Sequence, residues 1–183
     1  MSSFQDLPDE LFLKVFSYAE TVDLLRCAQV SKRIRTISND DSLFQTVNLR
    51  DKYVKTDLLA IVLNKGCKQL NLTNSFIWGN LSLIQNSNLM ELDLSNCEDY
   101  CEGTAYDVLE KLVASSHSLQ KLSLAGLLIT QKMVDSICQN GETLQAITLH
   151  NSYIKLGNRE GIMKLKNLCL QNKNLVLVCR NFS

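Results

Sequence analysis

Apolar residues follow two different patterns along the chain, one before and one after residue 46. Up to residue 45 they occur in short runs with helical spacing, three and four positions apart. From residue 46 they alternate with polar residues in segments such as KQLNLTN and LMELDLSNC, which is typical of strands. The two patterns predict a cluster of short helices over residues 4–45, here called the head, and a different domain over residues 46–183.

Three helices are predicted in the head. The first begins at Pro8, the only proline of the chain, because proline is tolerated where its missing N–H has no partner. Thr21 and Asp23 are start signals for a second helix, and Ser31 is a candidate N-cap of a third. The segment NDDSLFQ then predicts a turn and a short apolar anchor. The first helix has apolar residues on two sides, so we expect one side to face the core and the other a partner.

The second domain repeats a short unit. Leu49, Leu72, Leu94, Leu124 and Leu149 occupy equivalent places, 22 to 30 residues apart, and this period is typical of leucine-rich repeats. Helix-like segments, among them TDLLAIVL, TAYDVLEKLV and TQKMVDSIC, lie between the units. We therefore expect each unit to be a strand plus a helix, and the units to stack into a solenoid with a parallel sheet. The predicted fold class is a mixed α+β or α/β solenoid of about five to six units, the last incomplete.

Two segments of this domain are less regular. In SFIWGNLSLIQ, residues 75–85, we expect only a short helix or 3₁₀ turn. The segment from residue 159 has two interpretations. One is a helix over about 159–172 followed by a strand at 174–179, which we favour, and the other is a strand at 168–170.

The polar residues of the strands are predicted to point out from the sheet, because side chains alternate between its two faces. They form either a solvated surface or a binding surface. The candidate substrate-binding residues in this row are Arg50, Asn71, Glu91, Asp93, Lys121, Thr148 and His150.

Amino-acid composition limits the kinds of binding partner and the cellular compartment that we expect. Lys plus Arg and Asp plus Glu each number 19, so no net field draws the chain to nucleic acid or an anionic membrane. No apolar run reaches the roughly 18 residues of a membrane helix, and no signal peptide is recognised. Seven cysteines, an odd number, suit buried thiols in a reducing compartment, so we expect a soluble protein of the cytoplasm or nucleus.

Metal, cofactor and enzyme sites are not predicted. Cys97 and Cys101 lack the second close pair of ligands that structural zinc needs, and Cys97 fits a buried place shared with Ser75 and Ser152. No glycine-rich phosphate loop, G-x-S-x-G or H-E-x-x-H motif occurs. A catalytic cysteine stays open as an alternative, but buried thiols are the favoured interpretation.

The segments LPDELFLKVF, DLLRCAQVSKRIR and DDSLFQTVNL together resemble an F-box, and the units that follow resemble the repeats of F-box proteins with leucine-rich repeats. The resemblance implies a non-enzymatic substrate adaptor of an SCF-type cullin–RING ubiquitin ligase. Its head would dock on the S-phase kinase-associated adaptor protein, and its repeats would hold a protein substrate. The docking residues that it implies are Leu7, Pro8, Leu11, Val15, Phe16, Leu24, Leu25, Val30, Lys32, Arg33 and Ile34.

Two alternatives to this function are kept. One is a leucine-rich-repeat interaction protein that has no role in ubiquitin transfer. The other is a short form that docks on the adaptor protein and competes with full-length F-box receptors.

Overall fold

The computed structural model describes residues 7–79, 87–100, 107–154, 159–172 and 175–178. The head contains the three predicted helices and ends in a 3₁₀ turn. Ser31 caps the third helix as predicted, since its side chain accepts a hydrogen bond from Ile34 N at 3.1 Å. The elements are α1 (Asp9–Phe16), α2 (Thr21–Cys27), α3 (Lys32–Ser38) and the 3₁₀ turn Asp41–Phe44.

The first helix begins one residue later than predicted. Pro8 has φ −59° and ψ 151°, so its backbone is extended and the residue is the N-cap. Its carbonyl nevertheless accepts from Leu11 N and Phe12 N, which closes the first turn. Asp9 and Glu10 fall in that turn, where carboxylates stabilise the positive end of the helix dipole.

Six strands within residues 46–178 form one parallel sheet in chain order, each paired with the strand of the next unit. The parallel sheet was predicted, and Lys121, for example, lies beside Glu91 in its register. The helices of this domain are α4 (Thr56–Asn64), α5 (Asp107–Ala114), α6 (Gln131–Gln139) and α7 (Arg159–Gln171). The sheet consists of β1 (Thr46–Asn48), β3 (Gln69–Asn71), β5 (Glu91–Asp93), β7 (Lys121–Ser123), β9 (Ala146–Thr148) and β11 (Val176–Val178).

A second set of short strands was not predicted, so the description of a unit as one strand plus one helix was incomplete. Each of these strands follows a residue with positive φ, such as Asn74 (54°) or Gly126 (73°), that turns the chain after the first strand. In four of these five strands the residue five positions after the repeated leucine is apolar, and Val54, Ile77 and Ile129 are buried in the core. The strands are β2 (Tyr53–Lys55), β4 (Phe76–Trp78) and β6 (Glu98–Tyr100) in one parallel sheet and β8 (Leu128–Ile129) and β10 (Tyr153–Ile154) in another.

The two irregular segments are resolved in different ways. Residues 76–78 form β4 and not the short helix or 3₁₀ turn expected for SFIWGNLSLIQ, whose residues 80–85 lie outside the described part. At the other end, α7 followed by β11 confirms the favoured interpretation. The alternative strand at 168–170 is wrong, because these residues belong to α7.

The core runs without a break from the head into the sheet. It contains Phe12 and Phe44 of the head and the apolar residues of the sheet strands. The alternation predicted from the sequence is observed, since Leu70 in β3 and Leu122 in β7 are buried between half-buried or exposed neighbours. The repeated leucines, which follow these strands, are all buried: Leu49, Leu72, Leu94, Leu124 and Leu149.

Two buried serines tie neighbouring units together. Ser75 Oγ donates to the carbonyl of Leu49 at 2.6 Å, and Ser152 Oγ donates to the carbonyl of Leu124 at 2.7 Å. Cys97 occupies the corresponding buried place in its own unit. The burial predicted for all three residues is confirmed.

We expect Ser75→Ala to lower the free energy of unfolding by about 1 to 3 kcal/mol, because a buried carbonyl loses its hydroxyl donor. Ser118→Ala, at an exposed serine in the turn before β7, is the control and should change it by less than about 0.5 kcal/mol. Urea denaturation followed by circular dichroism measures both. Equal effects of the two substitutions would show that the interunit hydrogen bond adds nothing.

Candidate functional site

Helix α1 presents apolar residues on two sides, as predicted. Phe12 and Phe16 face the core, with ring centroids 6.1 Å apart, whereas Leu11 and Val15 are 46% and 57% exposed. The two exposed residues are four positions apart and so share one helix face. With Leu7, Lys14 and Tyr18 they line an apolar depression of about 500 Å³, which we call the head groove.

The other residues of the predicted docking set have different positions. Phe16 and Leu24 are 8% and 2% exposed, so they belong to the core, and this corrects their assignment to a surface that touches a partner. Their apolar character is explained by packing inside the head. Of the remaining residues, Val30, Pro8, Lys32 and Arg33 are exposed, while Leu25 and Ile34 are half-buried.

Tyr18 belongs to the head groove and was missed by sequence reasoning. It is 83% exposed and lies just beyond the end of α1. It follows Val15 by three residues and Leu11 by seven, so the helical spacing continued past the predicted apolar run could have identified it.

Arg33 fixes the N-terminal end of α1. Its guanidinium donates to Asp9 Oδ1 at 2.7 and 2.8 Å and to the carbonyl of Leu7, and its Cζ lies 5.2 Å from the centroid of the Phe12 ring. These contacts join α3 to the first turn of α1. Arg33 therefore positions Leu7, which lines the head groove.

The outward face of the six-stranded sheet carries a second depression, of about 480 Å³, which we call the sheet groove. It extends from β1 to β9 and is lined by two rows of mainly polar side chains, one on each side of the buried apolar row Val47, Leu70, Leu92 and Leu122. Arg50 and His150 of the predicted row are not part of its lining, because they follow the strands themselves. The predicted residues that line it are Asn71, Glu91, Asp93, Lys121 and Thr148.

Hydrogen bonds hold several of these side chains in fixed orientations. Asn71 Oδ1 accepts from Thr73 N at 2.9 Å, and Asp93 Oδ1 accepts from Ser95 N and Ser95 Oγ at 2.9 and 2.6 Å. Each residue thus binds the backbone two positions further on, which is the geometry of an Asx turn. The groove therefore has polar side chains that are already ordered before anything binds.

Most of the charged side chains described on the outward face of the sheet form ion pairs. Lys121 Nζ lies 2.7 Å from Glu91 Oε1 on the neighbouring strand. Arg50 Nε lies 3.1 Å from Asp51 Oδ2. At the far end, His150 Nδ1 is buried and has no hydrogen-bond partner within the described ranges.

The buried thiols are suited to packing. Burial raises the pKa of Cys67 to about 11, so its thiol is protonated at neutral pH and a poor nucleophile. In the part of the chain that the structure describes, no three His, Cys, Asp or Glu side chains are grouped to hold a metal ion, and Cys101 lies outside that part. Across the same residues, no helix has the length and apolar character needed to cross a membrane.

The helical head thus carries an exposed apolar groove and continues into a sheet that carries a polar groove. Residues 4–50 match the family model described as F-box-like, a segment that includes α1 to α3, the 3₁₀ turn and β1. This match supports an F-box protein and suggests an adaptor role in an SCF-type ubiquitin ligase. F-box domains are typically substrate adaptors and not enzymes, and they generally bind the S-phase kinase-associated adaptor protein.

Proposed function

We propose that the chain is a substrate-recognition adaptor of an SCF-type cullin–RING ubiquitin ligase. The head docks on the S-phase kinase-associated adaptor protein through the head groove, and the sheet groove binds a protein substrate. The observation that carries this proposal is that the F-box-like match and the exposed apolar face of α1 fall on the same segment. The F-box-like match covers the helix whose residues Leu11 and Val15 are 46% and 57% exposed, so burial in the core does not account for their apolar character.

We also propose that residues 46–183 form a leucine-rich-repeat solenoid of about five to six units, after an F-box at residues 4–45. The order of the parallel strands supports it, because each unit adds one strand beside the previous one. The repeated buried leucines and the interunit bonds of Ser75 and Ser152 support it as well. In sequence the chain resembles the S-phase kinase-associated F-box protein, and we propose a related role in the cytoplasm or nucleus.

The proposal for the substrate surface has support from the chemistry of the sheet groove. Asn71 and Asp93 accept hydrogen bonds from Thr73 N and Ser95 N, so their side chains keep fixed orientations. Ordered polar groups lower the entropy cost of binding a partner. Arg50 and His150 flank the groove and are proposed as secondary contacts.

Co-expression with the S-phase kinase-associated adaptor protein tests the docking half of the proposal. We expect a one-to-one complex in size-exclusion chromatography with light scattering. A chain that elutes as a monomer in the presence of excess adaptor protein would contradict it. The sheet groove, which is separate from the head groove, would then favour the second candidate function, a repeat protein that binds partners without a role in ubiquitin transfer.

A further inference from the structure

We propose that the sheet groove recognises an unphosphorylated, extended protein segment through a basic side chain, lysine or arginine, that pairs with Asp93. This inference rests on the proposed function, since it names the chemistry of the substrate bound by the same groove. It assigns to Asp93 a specificity role that the other residues of the row do not share.

The balance of charges in the sheet groove leaves the carboxylate of Asp93 available to pair with a cationic group of a ligand. The ionisable residues that line it are Glu91, Asp93 and Lys121, two carboxylates and one ammonium. Glu91 and Lys121 neutralise each other at 2.7 Å. Asp93 forms no ion pair within the described ranges, so the lining keeps one uncompensated negative charge.

The carboxylate of Asp93 is oriented so that it can accept a hydrogen bond from a ligand. Both hydrogen bonds from Ser95 go to Oδ1, and Oδ2 has no hydrogen-bond partner among the described residues. The half-buried position of Asp93 partly removes it from water, which strengthens its attraction for a cation. A lysine or arginine would form a charge-assisted hydrogen bond with Oδ2.

The surroundings of Asp93 fit a long basic side chain. Toward β7 and β9 the row of Asp93 continues with the short residues Ser123 and Thr148, which leave room for an aliphatic stem. Toward β3 lies Asn71, whose Oδ1 is occupied by Thr73 N, so that its Nδ2 hydrogens remain for a peptide carbonyl. The groove extends over five strands, about 19 Å at the usual strand spacing, which accommodates roughly six residues of an extended segment.

A phosphorylated segment is disfavoured by the same charges. A phosphoserine carries about −1.5 to −2 charges at neutral pH, and like charges at close range repel. The nearest cation in the lining, Lys121, is already paired with Glu91. Binding phosphate would break that ion pair and leave two carboxylates uncompensated.

Binding of soluble nonapeptide libraries tests the preference of the sheet groove for a basic side chain. Their central position is fixed as arginine, lysine, serine or phosphoserine, and they are passed over the immobilised full chain. We expect the arginine and lysine libraries to be retained about tenfold more than the serine library, and the phosphoserine library to be retained least. Asp93→Asn, which preserves the acceptor for Ser95, should remove the difference between the basic and serine libraries.

Glu98→Gln is the matched control, because Glu98 is an exposed carboxylate on β6 and does not line the groove. It should leave the preference unchanged. Retention of the phosphoserine library over the arginine library, an unchanged preference in Asp93→Asn, or no retention of any library would overturn the inference. Complex formation with the adaptor protein, measured on the same preparations, reports separately on the proposed docking function.

Discussion

The double substitution Leu11→Asp/Val15→Asp is expected to abolish binding to the S-phase kinase-associated adaptor protein while leaving the fold intact. Both side chains are about half exposed and form the centre of the head groove, so the chain alone loses little packing. In the complex, two carboxylates would be buried in an apolar contact without partners. Truncating a central interface residue costs about 2 kcal/mol or more, so the pair should raise Kd at least about 100-fold.

Isothermal titration calorimetry measures this change, and thermal unfolding checks the fold. Met163→Asp/Leu170→Asp in α7 is the matched control, because these apolar residues are 56% and 77% exposed but lie outside the head. The control should bind with unchanged affinity. If both double variants bind as tightly as the original chain, the head groove is not the docking surface.

The substitution Phe44→Ala is expected to cause the largest loss of stability, about 3 to 5 kcal/mol. Phe44 is fully buried in the 3₁₀ turn that joins α3 to β1, where the core of the head meets the core of the sheet. Lys65 Nζ lies 4.9 Å from its ring centroid and also donates to the carbonyl of Asn39 at 2.6 Å. Removing the ring opens a cavity where the head packs against the sheet and loosens this contact with the end of α4.

Denaturant unfolding followed by tryptophan fluorescence and circular dichroism measures the loss. Tyr53→Ala is the control, since this aromatic residue is 83% exposed and should cost less than about 0.5 to 1 kcal/mol. Fluorescence reports on Trp78 in β4, the only tryptophan, whereas circular dichroism also reports on the helices of the head. Similar losses in Phe44→Ala and Tyr53→Ala would contradict a continuous core.

The helices of the head and the strands of the six-stranded sheet were predictable because their patterns are local. Start signals such as Ser31 and the alternation in segments such as KQLNLTN need no knowledge of distant contacts. The second strands were missed because two or three residues are too few to show a period. Their formation depends instead on parallel pairing with the next unit, as between Tyr53 and Phe76.

The predicted docking residues included both core residues and exposed residues, for a related reason. An apolar residue on a short helix faces either the core or a partner, and its identity does not distinguish the two. Phe16 and Leu24 turned out to be core residues, and Tyr18 joined the exposed groove. The crossing of α1, α2 and α3 decides which side of each helix is covered.

The local elements, the repeated leucines and the resemblance of the head to an F-box could be predicted without a structure, because they depend on residues close together in the chain. In contrast, the exposed side of α1 and the pairing of charges in the sheet groove follow from the packing of elements that are distant in sequence. Glu91 and Lys121 are 30 residues apart and become neighbours through strand register, so that Asp93 has no cation beside it among the residues that the structure describes. Such a pairing depends on the register of strands that are distant in sequence, and no local pattern contains it.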